Sequence, residues 1–228
     1  FAGCAKYAEA VVLDPEVPPN LCVPGKAEVA NIVAKLTGKV AEATEPVYAH
    51  VKCRGGNGVA KLAYEYKGIH DCAAAKLVQQ GPKFCKFGCL GFGNCVRACP
   101  FGAMTMGENG LPQINKNICT GCGKCANTCP NHVIELLPMS AKVSVSCSSK
   151  DFGAPAMKNC KALCLGCGSC ARNCSHKDQE AIKIIDHLAV INQEICHTCD
   201  NATCLTKCPT GAIGEMIKGV FKKEENVG

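Results

Sequence analysis

Residues 119–130 read CTGCGKCANTCP and carry four cysteines at the spacing C-x2-C-x2-C-x3-C-P: Cys119, Cys122, Cys125 and Cys129. A cubic iron–sulfur cluster needs four thiolates that converge from different directions. A tight loop with two residues between its cysteines wraps the backbone around the cube and supplies three of them. The fourth cysteine, which precedes a proline, points away and ligates a neighbouring cluster. The spacing therefore predicts a pair of clusters that exchange their fourth ligands.

The chain contains this arrangement twice. Residues 83–100, KFCKFGCLGFGNCVRACP, align without a gap with residues 158–175, KNCKALCLGCGSCARNCS. In each block a short apolar stretch typical of a strand, GLPQINKNIC or HLAVINQEIC, leads from the first cysteine-rich loop to a second one. The pattern indicates an internal duplication of a whole module. The paired loops resemble those of the bacterial two-cluster ferredoxins.

Crossed ligation assigns most of these cysteines to complete four-iron sets. In the second module one set is Cys164, Cys167, Cys170 and Cys208, and the other is Cys196, Cys199, Cys204 and Cys174. In the first module one set is Cys119, Cys122, Cys125 and Cys99. Ser175, rather than proline, follows Cys174, which departs from the motif without removing a ligand.

The last set of the first module lacks a ligand, because Phe92 stands where the second module has a cysteine. Its three remaining cysteines are Cys89, Cys95 and Cys129. The nearest spare thiol is Cys85, and we expect it to complete the set. A three-iron cluster, or a ligand recruited from Cys53 or Cys72, is the alternative.

Six cysteines lie outside these four sets: Cys4, Cys22, Cys53, Cys72, Cys147 and Cys160. We expect the last four of them to form one further site, with free buried thiols as the alternative. Disulfides do not explain this pattern well, because cysteines with only two residues between them have poor geometry for several independent bridges. Zinc sites typically use two C-x2-C pairs at a longer separation.

The composition agrees with a metal protein. The chain has 22 cysteines in 228 residues and no tryptophan, and only 5% of its residues are aromatic. A large aromatic core is therefore excluded, and bound metal can supply the folding energy. The formal charge of +6 counts every cysteine as neutral. Thiolates around clusters would make the protein more acidic, so the charge does not indicate a nucleic-acid partner.

The pattern predicts an α+β chain of six segments. Residues 1–40 are expected to be a small helical domain in which four side chains share one apolar face: Val29, Ile32, Val33 and Leu36. Gly38 would end that helix. The other segments are a linker or extension at 41–82, the first module at 83–137, a connector at 138–157, the second module at 158–216 and a polar tail at 217–228. The connector contains KVSVSC, which is typical of a strand ending at Cys147.

Several stretches together resemble one family, the B subunits of the Rnf complex. GCAKYAEAVV at 3–12 and NLCVPGKAEVANIV at 20–33 are similar to an N-terminal iron–sulfur domain that usually reads C-x2-C-x4-C…C. Cys4 and Cys22 match its third and fourth ligands, and Lys26 departs from the second glycine of its usual turn. YEYKGIHDCAAA and CKFGCLGFGNCVRACPFGAM resemble the longer form found in anaerobic bacteria.

The resemblance implies tandem two-[4Fe-4S] ferredoxin-like modules preceded by the helical iron–sulfur domain. It implies four [4Fe-4S] clusters and up to six in a full-length chain. The activity implied is that of a subunit of a ferredoxin:NAD oxidoreductase that pumps Na⁺ or H⁺. The subunit would accept electrons from reduced ferredoxin and relay them to other subunits, with no catalytic side chain of its own. A helix upstream of Phe1 would attach it to the cytoplasmic face of the plasma membrane.

Two other functions fit parts of the pattern. A soluble polyferredoxin, or the iron–sulfur subunit of a hydrogenase or dehydrogenase, would carry the same ferredoxin motifs. An apolar upstream helix of about 20 residues would distinguish the membrane complex from these. A zinc-containing nucleic-acid or scaffold protein belongs to a different class, and it would be colourless whereas an iron–sulfur protein is brown.

Overall fold

The computed structural model describes residues 3–42, 45–217 and 220–222 and shows a mixture of short helices and strands. The helices are α1 (Cys4–Leu13), α2 (Lys26–Thr37), α3 (Cys72–Leu77), α4 (Asn94–Arg97), α5 (Lys124–Thr128), α6 (Gly153–Asn159), α7 (Ser169–Arg172), α8 (Gln193–Cys196) and α9 (Thr203–Thr206). The strands are β1 (Val47–Val51), β2 (Met104–Met106), β3 (Pro112–Ile114), β4 (Ile134–Pro138), β5 (Val143–Val145), β6 (Ile182–Ile185), β7 (Leu188–Ile191), β8 (Ile213–Ile217) and β9 (Val220–Lys222). A 3₁₀ turn at Lys177–Gln179 follows α7. Within the described ranges, no helix is both long and apolar enough to cross a bilayer.

The two N-terminal helices form where the sequence predicts them. The second one, α2, ends at Gly38, whose φ of 67° is a left-handed conformation that glycine adopts without strain. The buried face of α2 differs from the predicted one. Ala30 and Ala34 are buried, whereas Ile32 and Leu36 are 53% and 81% exposed. Small residues therefore face inward, and part of the predicted apolar stripe lies in solvent.

The first repeat, which we define as residues 47–138, begins well before the cysteine-rich block. Its strand β1 pairs antiparallel with β4, from Val47 opposite Pro138 to Val51 opposite Ile134. The hairpin of β2 and β3 lies between these two strands in sequence. Residues 41–82 were expected to be a linker or extension, yet they supply β1. The segment from 52 to 88, between the first strand and the first cluster loop, is longer than its counterpart at 146–163 in the second repeat, and it therefore contains an insertion.

The second repeat, residues 143–217, has the same order of elements. Its first strand β5 pairs antiparallel with β8, and β6 forms a hairpin with β7. The predicted strand KVSVSC ends at Val145, two residues before Cys147. The predicted connector therefore supplies the first strand of this repeat. In the predicted polar tail, β9 pairs with the outer edge of β8.

Cysteines make up much of the core of both repeats. In the first repeat Cys89, Cys95 and Cys125 are buried together with Ala49, Met104 and Val133. In the second, six cysteines are buried in one cluster: Cys147, Cys160, Cys164, Cys170, Cys196 and Cys204. The strands are three to five residues long, and ladders this short are marginal without further support. The arrangement of the cysteines therefore bears directly on what stabilises the fold.

Candidate iron–sulfur sites

The cysteine-rich loops enter short helices through glycine residues in a left-handed conformation. Gly123, with φ of 75°, precedes α5, and Gly168, with φ of 68°, precedes α7. An L side chain is strained at such φ values. The tight turn brings Cys125, on the first turn of α5, beside the loop cysteine Cys122. Local backbone chemistry therefore sets where these thiols point.

Two cavities each gather four cysteines that the sequence groups together. Site A is lined by Cys99, Cys119, Cys122 and Cys125. Site E is lined by Cys174, Cys196, Cys199 and Cys204. In both, one cysteine comes from the other cysteine-rich loop of the repeat, because α4 packs against α5 and α7 packs against α9. The geometry thus has the crossed pattern of two-cluster ferredoxins.

Site B is the place where the first repeat lacks a loop cysteine. It is lined by Cys72, Cys89, Cys95 and Cys129. Cys85, which we expected at this position, lines a different cavity. Cys72 comes from the insertion, at the first residue of α3. The fourth thiol lining site B therefore belongs to a separate segment rather than to the same loop.

Polar contacts hold Cys72 against α4. The carboxylate of Asp71 caps α3 by accepting from the backbone N–H groups of Ala73 and Ala74, at 2.8 and 2.9 Å. The Cys72 backbone N–H donates to Asn94 Oδ1 at 3.0 Å, and Asn94 Nδ2 donates to Asp71 Oδ2 at 2.5 Å. Since Asn94 precedes Cys95 on α4, this network places Cys72 beside another thiol of site B.

Aromatic rings cover the position of the missing cysteine. The ring of Phe92 lies 5.2 Å from that of Tyr66 and 5.5 Å from that of His70, measured between centroids. Tilted contacts at such distances are favourable. Both partners belong to the insertion that carries Cys72. The substitution of phenylalanine for cysteine and the alternative thiol are therefore parts of one local structure.

Site C lies where the two repeats meet. It is lined by Cys53, Cys85, Cys147 and Cys160. We expected Cys72 here and Cys85 in site B, and the structure exchanges these two residues. The reason is that Cys72, at the start of α3, is hydrogen-bonded to Asn94 of α4 and therefore lies at site B. Cys85 instead remains near Cys53 and Cys160, whose charges act on it.

We call the remaining second-repeat cysteines, Cys164, Cys167, Cys170 and Cys208, site D. Burial, with contributions from the neighbouring Cys164, Cys208 and Cys167, raises the pKa of the Cys170 thiol to about 11. Cys164 and Cys170 are buried in one cluster, and Cys208 packs against it. Thr210 supports this corner by donating from Oγ1 to the Leu163 carbonyl at 2.6 Å.

The thiols around these sites favour their uncharged form unless a metal binds them. Burial raises the pKa of Cys89, Cys95 and Cys204 to about 12 in each case. Iron binds the thiolate, so loading a cluster releases protons and stabilises the folded chain. Because these thiols are buried and must lose their protons to bind iron, metal binding and folding are coupled.

The donor sets of the cavities suit a group that binds several thiols at once. Sites A, B, C and E are each lined by four cysteines. Among the described residues, no three cysteine, histidine or carboxylate side chains are arranged to hold a single metal ion. Four cysteines around a four-iron cube each bind a separate iron at a corner. The donor sets therefore suit [4Fe-4S] clusters.

The two N-terminal cysteines lie elsewhere. Cys4 is exposed at the start of α1 and Cys22 is partly buried before α2. Neither lines the cavities of sites A, B, C and E. The additional N-terminal site that the resemblance implies stays a prediction.

Comparison with known proteins agrees with these features. A family model described as a 4Fe-4S dicluster domain matches residues 88–134. The chain is 57% identical, over 99% of its length and 78% of the relative, to the B subunit of the proton-translocating ferredoxin:NAD(+) oxidoreductase complex of Clostridium ljungdahlii. It is 41% identical, over 93% of its length and 78% of the relative, to the B subunit of the ion-translocating oxidoreductase complex of Methanosarcina acetivorans.

A third relative comes from Acetobacterium woodii. It is the B subunit of a Na(+)-translocating ferredoxin:NAD(+) oxidoreductase complex, 35% identical over 87% of this chain and 58% of the relative. The chain is thus an iron–sulfur protein with a dicluster ferredoxin domain. It belongs to the family of B subunits of the ion-translocating ferredoxin:NAD(+) oxidoreductase, or Rnf, complexes.

Proposed function

We propose that this chain relays electrons within an Rnf complex, from reduced ferredoxin towards NAD⁺, while the complex translocates an ion. The names of the relatives describe their whole complexes as ion-translocating ferredoxin:NAD(+) oxidoreductases. This chain contributes clusters to that activity, together with other subunits. We place it at the cytoplasmic face of the plasma membrane, attached through the N-terminal membrane helix that the resemblance to the family implies.

The observation that carries the proposal is the crossed arrangement of thiols in both repeats. Sites A and B share the helix pair α4 and α5, and sites D and E share α7 and α9. In each pair, the cysteine after one short helix serves the neighbouring site. On this basis each repeat, 47–138 and 143–217, is a two-cluster ferredoxin module, and the first carries an inserted segment.

The four proposed ligand sets follow from these cavities and contacts. They are Cys99, Cys119, Cys122 and Cys125; Cys72, Cys89, Cys95 and Cys129; Cys164, Cys167, Cys170 and Cys208; and Cys174, Cys196, Cys199 and Cys204. Bound [4Fe-4S] clusters supply one-electron carriers. The role of the chain is to bind them with thiolates, exclude water and keep them close together. No acid–base side chain is needed for that role.

The experiment is to purify the intact chain without oxygen and determine iron and acid-labile sulfide. The loaded protein is then mixed with reduced ferredoxin, and its visible absorbance is followed. We expect a brown protein with equal amounts of iron and sulfide whose absorbance bleaches as ferredoxin is reoxidised. A matched variant, Cys125→Ala, should lose one cluster and bleach less. Zinc without iron, or no bleaching by reduced ferredoxin, would contradict the proposal.

A further inference from the structure

We propose that Cys53, Cys85, Cys147 and Cys160 ligate a fifth four-iron cluster, which joins the two modules. The inference rests on the proposed electron relay and adds a site that the ferredoxin loops themselves do not contain. All four thiols line site C. With this set assigned, every cysteine of the chain except Cys4 and Cys22 has a place in a complete set of four.

The four cysteines occupy equivalent positions in the two repeats. Cys53 follows the last residue of β1 by two positions, and Cys147 follows the last residue of β5 by two positions. Cys85 and Cys160 each lie four residues before the first loop cysteine of their repeat. Each repeat therefore contributes the same two thiols, and site C has approximate twofold symmetry in its ligands.

Backbone hydrogen bonds reach one thiol from each repeat. The N–H of Cys89 donates to Cys53 Sγ at 3.3 Å. In the second repeat, the N–H of Ser149 donates to Cys147 Sγ at 3.4 Å. Hydrogen bonds to cluster sulfurs are among the features that tune such clusters. Backbone N–H groups therefore orient Cys53 and Cys147 in site C.

Two glycines keep the space between the thiols open. A Cβ at Gly88 would lie 3.5 Å from Cys85 Sγ and 3.6 Å from Cys53 Sγ. A Cβ at Gly55 would lie 3.4 Å from Cys160 Sγ and 3.6 Å from Cys53 Sγ. Each side chain would therefore occupy the region between two of the four thiols. The absence of both side chains suits a bulky group at the centre.

The charge around site C favours an anion. Lys52, Arg54 and Lys83 all line the cavity, and of these Lys52 forms an ion pair with Glu135 at 3.2 Å. Lys83 is only 7% exposed, and its Nζ donates to the carbonyls of Gly55 and Cys89 at 2.7 Å each. Among the described residues, no carboxylate is within ion-pair distance of it. A buried cation needs a compensating charge, and a four-iron cluster held by four thiolates is a net anion.

Site C also lies between the other sites. The N–H of Cys89, a residue of site B, donates to Cys53 Sγ of site C at 3.3 Å. Cys147 and Cys160 of site C are buried in one cluster with Cys164 and Cys170 of site D. Sites A and B share the helix pair α4 and α5, and sites D and E share α7 and α9. The sites therefore form one series, A–B–C–D–E, which would be interrupted between the modules without site C.

The test compares single substitutions in the anaerobically purified full chain. Cys85→Ala and Cys147→Ala should each lose about four iron atoms and abolish the same EPR signal of the reduced protein. Cys72→Ala should lose a different signal. Ser149→Ala removes a buried side chain at the same cavity without removing a thiol, and it should keep all iron. Iron content unchanged in Cys147→Ala would overturn the proposal, as would loss of one shared signal in Cys85→Ala and Cys72→Ala.

A second measurement decides the question even if the site C variants do not fold. In a Cys22→Ala background, the predicted N-terminal site can no longer contribute a complete cluster. The chain should then bind roughly 20 iron atoms if five sets are filled and roughly 16 if site C is empty. The lower number with intact ferredoxin signals would overturn the fifth cluster alone. Zinc in place of iron would instead overturn the proposed electron relay.

Discussion

The backbone N–H of Cys89 donates a hydrogen bond to Cys53 Sγ across 3.3 Å. The donor belongs to a thiol residue of site B and the acceptor to a thiol of site C. The two sites are therefore in direct contact through one peptide group. Lys83 lies at the same boundary, since its ammonium binds the carbonyl of Cys89 and that of Gly55. Changes at this boundary should affect the redox properties of both sites.

We expect Lys83→Met to lower the reduction potential of a cluster at this boundary. Reduction adds negative charge, and a buried cation nearby stabilises the reduced state, so its removal makes reduction harder. The shift should be on the order of tens of millivolts, because a one-electron couple changes by roughly 59 mV per tenfold change in equilibrium constant and charges interact strongly in a buried site. Redox titration followed by EPR measures it.

The control for Lys83→Met is Lys67→Met. Lys67 is an exposed lysine, 3.4 Å from the Glu65 carboxylate, whose side chain is also exposed. Its charge is screened by water, so its removal should leave all potentials nearly unchanged. Equal shifts in the two variants, or a rise in potential with Lys83→Met, would show that Lys83 does not act on the boundary in the way we describe.

Mutation can move the fourth thiol of site B from Cys72 back to the loop, at position 92. Cys72→Ala should lose the cluster at site B, with about four iron atoms fewer per chain. Adding Phe92→Cys restores the regular loop cysteine that the second module has as Cys167, so the double variant should recover iron and the lost EPR signal. Iron per chain and EPR of the reduced protein measure both effects.

A matched variant makes this rescue specific. Phe92→Ala in the Cys72→Ala background removes the same aromatic contacts with Tyr66 and His70 but adds no thiol. It should remain without the cluster. If it recovers iron as well as the cysteine variant does, the thiol at position 92 has no part in the rescue and Cys72 is not the natural ligand.

Local spacing groups the same cysteines that line the cavities of sites A and E. In these sets three cysteines lie within one loop, and a tight turn through a glycine such as Gly123 fixes their direction. The strand before each second loop was also predictable from its short apolar stretch. Short-range geometry decides these features, so the sequence contains what is needed.

The positions of Cys72 and Cys85 depend on contacts far apart in the sequence. Cys85 lies only four residues from Cys89, yet Asp71 and Asn94 bring Cys72 to site B instead. The pairing of β1 with β4 likewise joins residues more than 80 apart. The alignment of Cys85 with Cys160 was the available signal, because equivalent residues of a duplication tend to have equivalent surroundings. Proximity in sequence was the weaker guide.

We expect the capping carboxylate of Asp71 to control how firmly site B holds its metal. Asp71→Ala removes the acceptor for the N–H groups of Ala73 and Ala74, and it removes the acceptor for Asn94 Nδ2. Cys72 would then be held less firmly, and iron should leave site B several-fold faster under a chelator. Asp71→Asn keeps a capping oxygen and should behave more like the unaltered chain. The rate of loss of the site B EPR signal measures this, and identical rates in all three proteins would contradict it.

Removal of the clusters should unfold both repeats. The ladders contain strands of only three to five residues, and their cores include thiols that clusters would join, among them Cys95, Cys125, Cys170 and Cys204. Without metal these thiols are separate small side chains around unfilled space, and the remaining apolar contacts are few. Binding free energy is then a large part of folding free energy.

The measurement is far-ultraviolet circular dichroism and amide hydrogen exchange before and after anaerobic removal of iron with a chelator. We expect loss of most of the strand signal and of the exchange protection in the paired strands β1 and β4, and in β5 and β8. Rebuilding the clusters with iron and sulfide should restore both, which controls for irreversible damage. A metal-free chain that keeps native circular dichroism and protected amides in these strands would show that the polypeptide folds without its clusters. The short ladders would then have to draw their stability from packing alone, against what their length and their cysteine-rich cores indicate.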